Sequence, residues 1–532
     1  MKRYVWIILI VLLAGFLRFW QLTGVPPALN SDEVAIGYNA YSILKTGKDE
    51  YGKPYPLTFR SFDDYKMPMD VYMIAAGMSV FGYGDFAVRF PSAFFGTLTV
   101  LCTYILVKKL FKEHGDEYAL ASSFLLAVSP WSLLFSRSGY GANIAVFFAV
   151  LGLCLFLHGL ERGALLPFSA IAFSFSVWSY HSSKIFIPLM LFCLAVLFRS
   201  ELLKKKLAVF TALCVGIILL FPLMKMTLST QGQLRAVGVT AFGNPDDLKQ
   251  SVSWIIQDKS NGQNIFSLFH NRRFEYLQTF LRGYFSHFDL NFLFLDASIE
   301  KYRAPGMGLL YLFELPFLLI GVYTLIRRRS RSSVVIFCWL LAAPVAAAFT
   351  LQLPHPGRTL IFLPSLQIIT AIGLVNTLKK MKRRYVLFAC TILIMIVSIL
   401  YFIHQYFIHL PIDDAPYWYV GRKEMVAKLV EYEKEYDTIY VSNTLDFPYI
   451  FYLYYRPVDP QKYLAQGGTV SGGFNEQGNH YKNTEFRSIS SSLRDPLKKI
   501  LFAGIPSEVF KESLVVDTIY YPDGTPAIVF FK

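Results

Sequence analysis

Apolar residues in this chain come in runs of about 20, separated by short basic clusters, and that pattern leaves few folds open. A helix of that length crosses the hydrocarbon core of a bilayer. A soluble domain of 532 residues with 54% hydrophobic side chains would scatter them instead. About eleven such runs lie at roughly 4–20, 87–110, 118–136, 143–160, 164–180, 184–200, 207–224, 306–326, 332–351, 359–378 and 385–409. The first follows Met1-Lys2-Arg3 and runs on into Gln21-Leu22-Thr23-Gly24 with no small-residue cleavage site, so it reads as a retained signal anchor. The segment 71–81 is too short to span and reads as interfacial or re-entrant.

A net charge of +14 invites a nucleic-acid reading, and the placement of the charge removes it. Lys108-Lys109, Lys204-Lys205-Lys206, Arg327-Arg328-Arg329 with Arg331, and Lys379-Lys380 with Lys382-Arg383-Arg384 each follow directly on an apolar run. Cytoplasmic loops look like this under the positive-inside rule. With Lys2 and Arg3 inside, every such cluster falls on the cytoplasmic face and the C-terminus outside. The expectation is a multi-pass plasma-membrane protein in contact with lipid, not nucleic acid. All six cysteines lie within apolar runs, which argues against a disulfide framework or a cysteine metal site.

Three extracytoplasmic pieces are then large: about 21–86, about 225–305 and the tail 410–532. In the tail, Met425, Leu429, Tyr432 and Tyr436 mark one face of a helix that leads into the strand-like Thr438-Ile439-Tyr440-Val441. Residues 514–521 and 527–531, joined by Pro522-Asp523-Gly524-Thr525, read as a hairpin. The expected fold class is a polytopic α-helical membrane domain, residues 1–409, followed by an extracytoplasmic α/β domain, residues 410–532. The sequence shows no internal repeat and no low-complexity tract.

Short outer loops should be poor in Lys and Arg, so exceptions there are informative. They are Arg137; Lys184 with His181; and His355 with Arg358 in Pro354-His355-Pro356-Gly357-Arg358. With Lys66 they can form a cationic cluster suited to the phosphate of a lipid carrier, the bland alternative being snorkelling to ordinary headgroups. Asp32-Glu33, just past the first helix, can accept a proton from an attacking hydroxyl or hold a divalent metal. Such a pair in a loop is more often solvated surface or the first turn of a helix, and Asp63-Asp64 and Asp413-Asp414 carry that bland reading too. No phosphate-binding Gly-rich loop and no His-rich metal spacing is present.

The order of these features resembles the GT-C glycosyltransferases, in the branch of the protein O-mannosyltransferases and the lipid A aminoarabinose transferase. The carrying residues are Asp32-Glu33, Tyr65-Lys66-Met67-Pro68, Arg89-Phe90-Pro91-Ser92-Ala93-Phe94-Phe95-Gly96, Ser129-Pro130, and His355-Pro356-Gly357-Arg358 ahead of Leu363-Pro364. Asn143 stands where the family often has Asp, and Met67-Pro68 where Pro-Pro is usual.

The resemblance implies transfer of a sugar from a polyprenyl-phosphate carrier to a protein or glycolipid acceptor on the outer face. Asp32 would be the catalytic carboxylate with Glu33 beside it, and Mg2+ or Mn2+ at that pair is an option. Lys66 and Arg358, with Arg137 and Lys184, would face the donor phosphate. His355, Arg89, His181 and Tyr65 would contact substrate. Because phosphate is a good leaving group, one base and several cations suffice, and a single displacement inverts the sugar carbon. Two other readings are weaker. A lipid-linked glycan polymerase or ligase gives no reason for Asp-Glu after the first helix. A transporter or flippase would carry mid-membrane charges and repeats.

Overall fold

The computed structural model describes residues 2–62, 64–112, 114–228, 240, 245–263, 265–297, 299–380, 384–472 and 477–532. Asp63, Lys382, Arg383 and part of the second outer loop lie outside the described residues.

In chain order, α1 (Lys2–Phe19) leads to the first outer region, with α2 (Ser31–Thr46), the hairpin β1 (Phe59–Ser61) and β2 (Asp64–Lys66), and α3 (Pro68–Phe81). Next come α4 (Asp85–Leu110), α5 (Gly115–Val128), α6 (Pro130–Ser136), α7 (Gly141–Gly159), α8 (Leu166–Ser179), α9 (Ser183–Leu197) and α10 (Lys206–Thr227). After the second loop, which holds α11 (Arg272–Ser286), stand α12 (Glu314–Arg328), α13 (Arg331–Ala342), α14 (Ser365–Lys380) and α15 (Arg384–His404).

Each apolar run read from the sequence contains helix, although the run at 306–326 becomes helical only from Glu314. Among the described residues, six helices are long and apolar enough to cross a membrane, and a seventh if α5 and α6, bent by 57° at their junction, form one broken span. The chain is a multi-pass membrane protein.

Two compact units emerge: Met1–Leu12, Leu98–Ser132 and Ala145–Ile396 in one, and Leu13–Thr97, Leu133–Ile144 and Val397–Lys532 in the other. The first is a helical bundle. Its helices approach closely at small residues, as membrane helices do. A Cβ on Gly321 of α12 would lie 1.9 Å from the Ile369 carbonyl oxygen of α14, and one on Gly373 of α14 would lie 1.9 Å from that of Phe317.

One expectation about this bundle fails. Cys193 of α9 and Cys338 of α13 form a disulfide, with Cα atoms 6.8 Å apart. Hydropathy places each cysteine on a helix but does not show that those two helices pack together.

The second unit joins the segment after α1 to the tail in a single core. In the tail, α16 (Arg422–Tyr432), β3 (Thr438–Ser442), α17 (Pro448–Tyr455), β4 (Asn479–Tyr481), β5 (Thr484–Arg487), β6 (Ile500–Gly504), β7 (Val515–Tyr520) and β8 (Pro526–Phe531) follow the α/β reading. The six-stranded sheet has order β4-β5-β3-β6-β8-β7; β3 is parallel to β5 and β6, and the other pairings are antiparallel. The β7–β8 turn closes where Asp523 Oδ1 accepts the Thr525 amide at 2.8 Å.

Helix α2 packs its buried residues Val34, Ile36, Tyr38 and Ile43 into the same core as Met425, Ile450, Leu453 and Phe530 of the tail. Gly37 permits the approach, since a Cβ there would stand 2.8 Å from the Tyr454 ring. Glu50 adds a polar tie, accepting from Asn39 at 2.9 Å and from Thr469 of the tail at 2.8 Å. Burial pushes its carboxyl up to about 7.

The positive-inside reading makes a checkable statement about orientation. A reporter active only outside the membrane is expected to work when fused after Lys532 or within 240–300, and to fail near Lys206 or Arg329. Activity at Arg329 would overturn the eleven-helix topology.

Candidate active site

Asn30-Ser31-Asp32-Glu33 begins α2 with a capping box. Asn30 Oδ1 accepts the Glu33 amide at 3.1 Å, and Glu33 Oε2 accepts the Asn30 amide at 3.0 Å. The bland alternative for an Asp-Glu pair, the first turn of a helix, is thus correct for this one, and it sends the two carboxylates in different directions.

Asp32 remains 42% exposed and pairs with Lys66, Oδ1 to Nζ at 2.7 Å. Lys66, itself only 17% exposed, is carried on β2, where the β1–β2 register sets it opposite Phe59. Its ammonium also lies 4.9 Å from the centre of the Phe62 ring at the hairpin tip. Tyr65, next along β2, is half-buried and pairs with Arg60 in the ladder.

Asp70, in the first turn of α3, is buried. Burial pushes its carboxyl up to about 7; Lys66 opposes that rise and Asp32 adds to it.

Glu33, by contrast, is 0% exposed and forms an ion pair with the equally buried Arg89 at 2.9 Å. Its oxygens also accept from the Gly139 amide at 2.8 Å and from Asn30 Nδ2 at 3.0 Å. Arg89 donates its remaining N–H groups to the carbonyls of Leu22 (2.9 Å), Pro26 (2.8 Å) and Ala28 (2.6 Å). Neither group is open to a ligand, so the expectations of Glu33 as a catalytic carboxylate and Arg89 as a substrate contact are corrected: they fix the loop that begins α2.

Arg137 is corrected in the same way. It is buried and donates to the carbonyls of Leu17 (2.7 Å), Arg18 (3.2 Å), Gln21 (3.2 Å) and Val25 (2.8 Å), which leaves it to brace the end of α1 rather than face a phosphate. The charge pattern marked Arg137 as exceptional, and the resemblance marked Arg89, but neither could show that the partners are carbonyls of the same chain. Asn143, at the position where Asp is frequent, donates to the Ser92 carbonyl at 2.7 Å. Asp414, read as solvated, is buried.

The donor set does not suit a divalent ion at Asp32-Glu33, since one carboxylate faces an ammonium and the other a guanidinium. Among the described residues no group of three His, Cys, Asp or Glu side chains is placed to hold a metal.

The other expected site residues lie in the helical bundle and form their own cluster. Buried His355 accepts the amides of Gly357 (3.1 Å) and Arg358 (3.3 Å) at Nδ1, and its own amide donates to His287 Nε2 at 3.2 Å. Burial and then the Arg358 charge hold the His355 pKa down to about 3; burial lowers His287 to about 4. Both are neutral at physiological pH, so His355 shapes the turn and adds no positive charge.

Arg358 is half-buried. Its Nη1 donates to Thr350 Oγ1 at 2.7 Å and to the Leu351 carbonyl, and its other guanidinium nitrogens have no protein acceptor among the described residues. His181 and Lys184 stand together, half-buried, at the start of α9, where the Lys184 amide donates to the His181 carbonyl at 3.1 Å.

Reading the sequence did not single out Asn30, Phe62, Asp70 or His287. Asn30 was within reach, because Asn followed by Glu at the third position is a capping box. The others depend on contacts that no local pattern encodes.

The helical bundle and the mixed-sheet domain have the fold of two kinds of solved membrane protein, and part of the chain matches a known family. Residues 65–225 match the family described as dolichyl-phosphate-mannose-protein mannosyltransferase. The crystal structure of ArnT from Cupriavidus metallidurans bound to undecaprenyl phosphate superposes with a TM-score of 0.55 at 14% identity, covering 99% of this chain and 98% of that one. The Archaeoglobus fulgidus oligosaccharyltransferase, crystallised with Zn and sulfate, superposes with a TM-score of 0.51 at 16% identity over 85% of this chain and 61% of its own.

Among curated proteins, the undecaprenyl phosphate-alpha-4-amino-4-deoxy-L-arabinose arabinosyl transferase of Pseudomonas aeruginosa is 31% identical over 136 residues, 25% of this chain. The match spans 23% of that relative's length.

Proposed function

We propose that this protein is an inverting glycosyltransferase that moves a sugar from a polyprenyl-phosphate donor to an acceptor hydroxyl at the outer face of the membrane. The observation that carries the reading is the pairing of exposed Asp32 with Lys66 at 2.7 Å, while Glu33 beside it is sequestered. The exposed carboxylate is thereby held next to a cation that can bind phosphate, where it can act as a base once that cation engages the donor.

The acceptor oxygen attacks the anomeric carbon as the bond from that carbon to the phosphate oxygen breaks. Asp32 takes the hydroxyl proton, and the carrier phosphate leaves with its charge met by Lys66. Asp32 and the phosphate share one ammonium, so donor binding draws Lys66 towards phosphate and frees the carboxylate for the proton. In the helical bundle, Arg358, whose other guanidinium nitrogens have no acceptor among the described residues, is proposed on its own evidence as a cation for a phosphate.

Binding of undecaprenyl phosphate to the purified protein tests the phosphate assignment. Arg358→Ala is expected to weaken it by about 2 kcal/mol or more, the scale of an unmade charge-assisted contact. Arg358→Lys should recover only part, because the planar fork is lost. Unchanged affinity in both variants would return Arg358 to a side chain that snorkels to lipid headgroups.

A further inference from the structure

The tail's loop before α17 holds two consecutive residues, Asp446 (φ 51°) and Phe447 (φ 55°), in left-handed backbone without being glycine. Phe62, at the β1–β2 tip of the first outer loop, is a third such residue, with φ 52°. Left-handed backbone is uncommon outside glycine, and for a bulky aromatic it persists only where the surroundings impose it.

Here the two strained aromatics meet. The Phe62 and Phe447 rings stack with centroids 3.9 Å apart and planes at 26°. A further partner of Phe62 is the Lys66 ammonium, 4.9 Å from the ring centre, and that ammonium reaches Asp32 at 2.7 Å. The tail loop is itself anchored: buried Arg422 donates to the Leu445 carbonyl at 3.1 Å, and Glu508 accepts from Ser442 at 2.6 Å and Thr444 at 2.7 Å. A second contact reaches the same helix start, where Ser31 Oγ donates to the Tyr419 hydroxyl at 3.4 Å. Tyr419 also has left-handed backbone, φ 55°.

We propose that the C-terminal domain is a working part of the candidate site, with Phe447 as its positioning residue. Phe447 holds the Phe62 ring beneath the Lys66 ammonium, and the ring's negative face keeps that ammonium directed at Asp32 and at the donor phosphate. Phe447 touches no reacting atom and acts through Phe62 and Lys66. The inference rests on the reading of Lys66 as a donor-phosphate cation.

The test uses the full-length protein with its lysines 13C-dimethylated, the Lys66 signal being assigned by its loss in Lys66→Arg. Phe447→Leu is expected to shift the Lys66 signal, and to weaken undecaprenyl phosphate binding roughly threefold to tenfold, the scale of a lost cation–π support. Phe447→Tyr should keep both near wild type, and Phe447→Met, which retains much of the bulk without a ring face, should behave like Phe447→Leu, whereas simple loss of volume would leave Met close to wild type. Phe62→Leu should reproduce Phe447→Leu, and the double variant should add little.

A Lys66 signal unchanged in Phe447→Leu, with carrier affinity at the wild-type level, would overturn the proposal. Equal losses in the Leu and Tyr variants, matched by equal drops in melting temperature, would overturn it too. If Lys66→Ala itself bound the carrier normally, the phosphate reading would fall, and the Lys66 signal would still judge the positioning by itself.

Discussion

Asp32→Asn is expected to lower turnover by roughly two to four orders of magnitude, the usual contribution of a positioned general base. The fold should survive the change. Asp32 is 42% exposed and its bond to Lys66 is at the surface, where an ion pair contributes about 0–1 kcal/mol. Carrier affinity should stay near wild type or tighten, because Asp32 competes with the donor phosphate for the Lys66 ammonium.

That separation is what distinguishes a base from a binding residue, which would lose affinity instead. Asp413→Asn, at an exposed carboxylate paired among the described residues with His409, serves as the control and should be nearly silent. Mass spectrometry of surface glycoproteins and glycolipids from cells with and without the protein would name the sugar and acceptor for the assay. A folded Asp32→Asn retaining more than a tenth of wild-type turnover would remove Asp32 from the chemistry.

The helices and the tail were legible because each is written in a local period. Apolar runs of about 20 residues became helices, and the hairpin with Pro522-Asp523-Gly524 closed as its turn residues require. The resemblance named Asp32 and Lys66 for one site but did not pair them with each other, and 34 residues separate them. What escaped was direction. The charge pattern marked Arg137 as an unusual cation and the resemblance marked Arg89, and their positions are indeed special. Both guanidiniums, however, turn inward to carbonyls that a chain crossing from helix to loop leaves unpaired. Phe447 and the Cys193–Cys338 pair escaped for a related reason: each is defined by a partner far along the chain.

Glu33→Gln tests that inward reading, and its expected effect is on stability rather than on the chemical step. The substitution keeps size and leaves one oxygen for the Gly139 amide, but it removes the counter-charge of Arg89 where neither group is exposed. It also sets a donor NH2 against either the Asn30 donors or the guanidinium. Breaking one partner of a buried ion pair costs about 3–5 kcal/mol, because the surviving charge stays desolvated. A clearly lowered melting temperature and a reduced yield of folded protein in detergent are therefore expected.

Arg89→Met should be comparably damaging, since the Leu22, Pro26 and Ala28 carbonyls lose their donor. Combining Glu33→Gln with Arg89→Met should cost less than the sum of the two, because no unpaired charge is left behind. A Glu33→Gln protein that melts like wild type yet turns over as poorly as Asp32→Asn would put Glu33 back into the chemistry. The division of labour within Asp32-Glu33, one carboxylate acting and one holding the loop, would then be wrong.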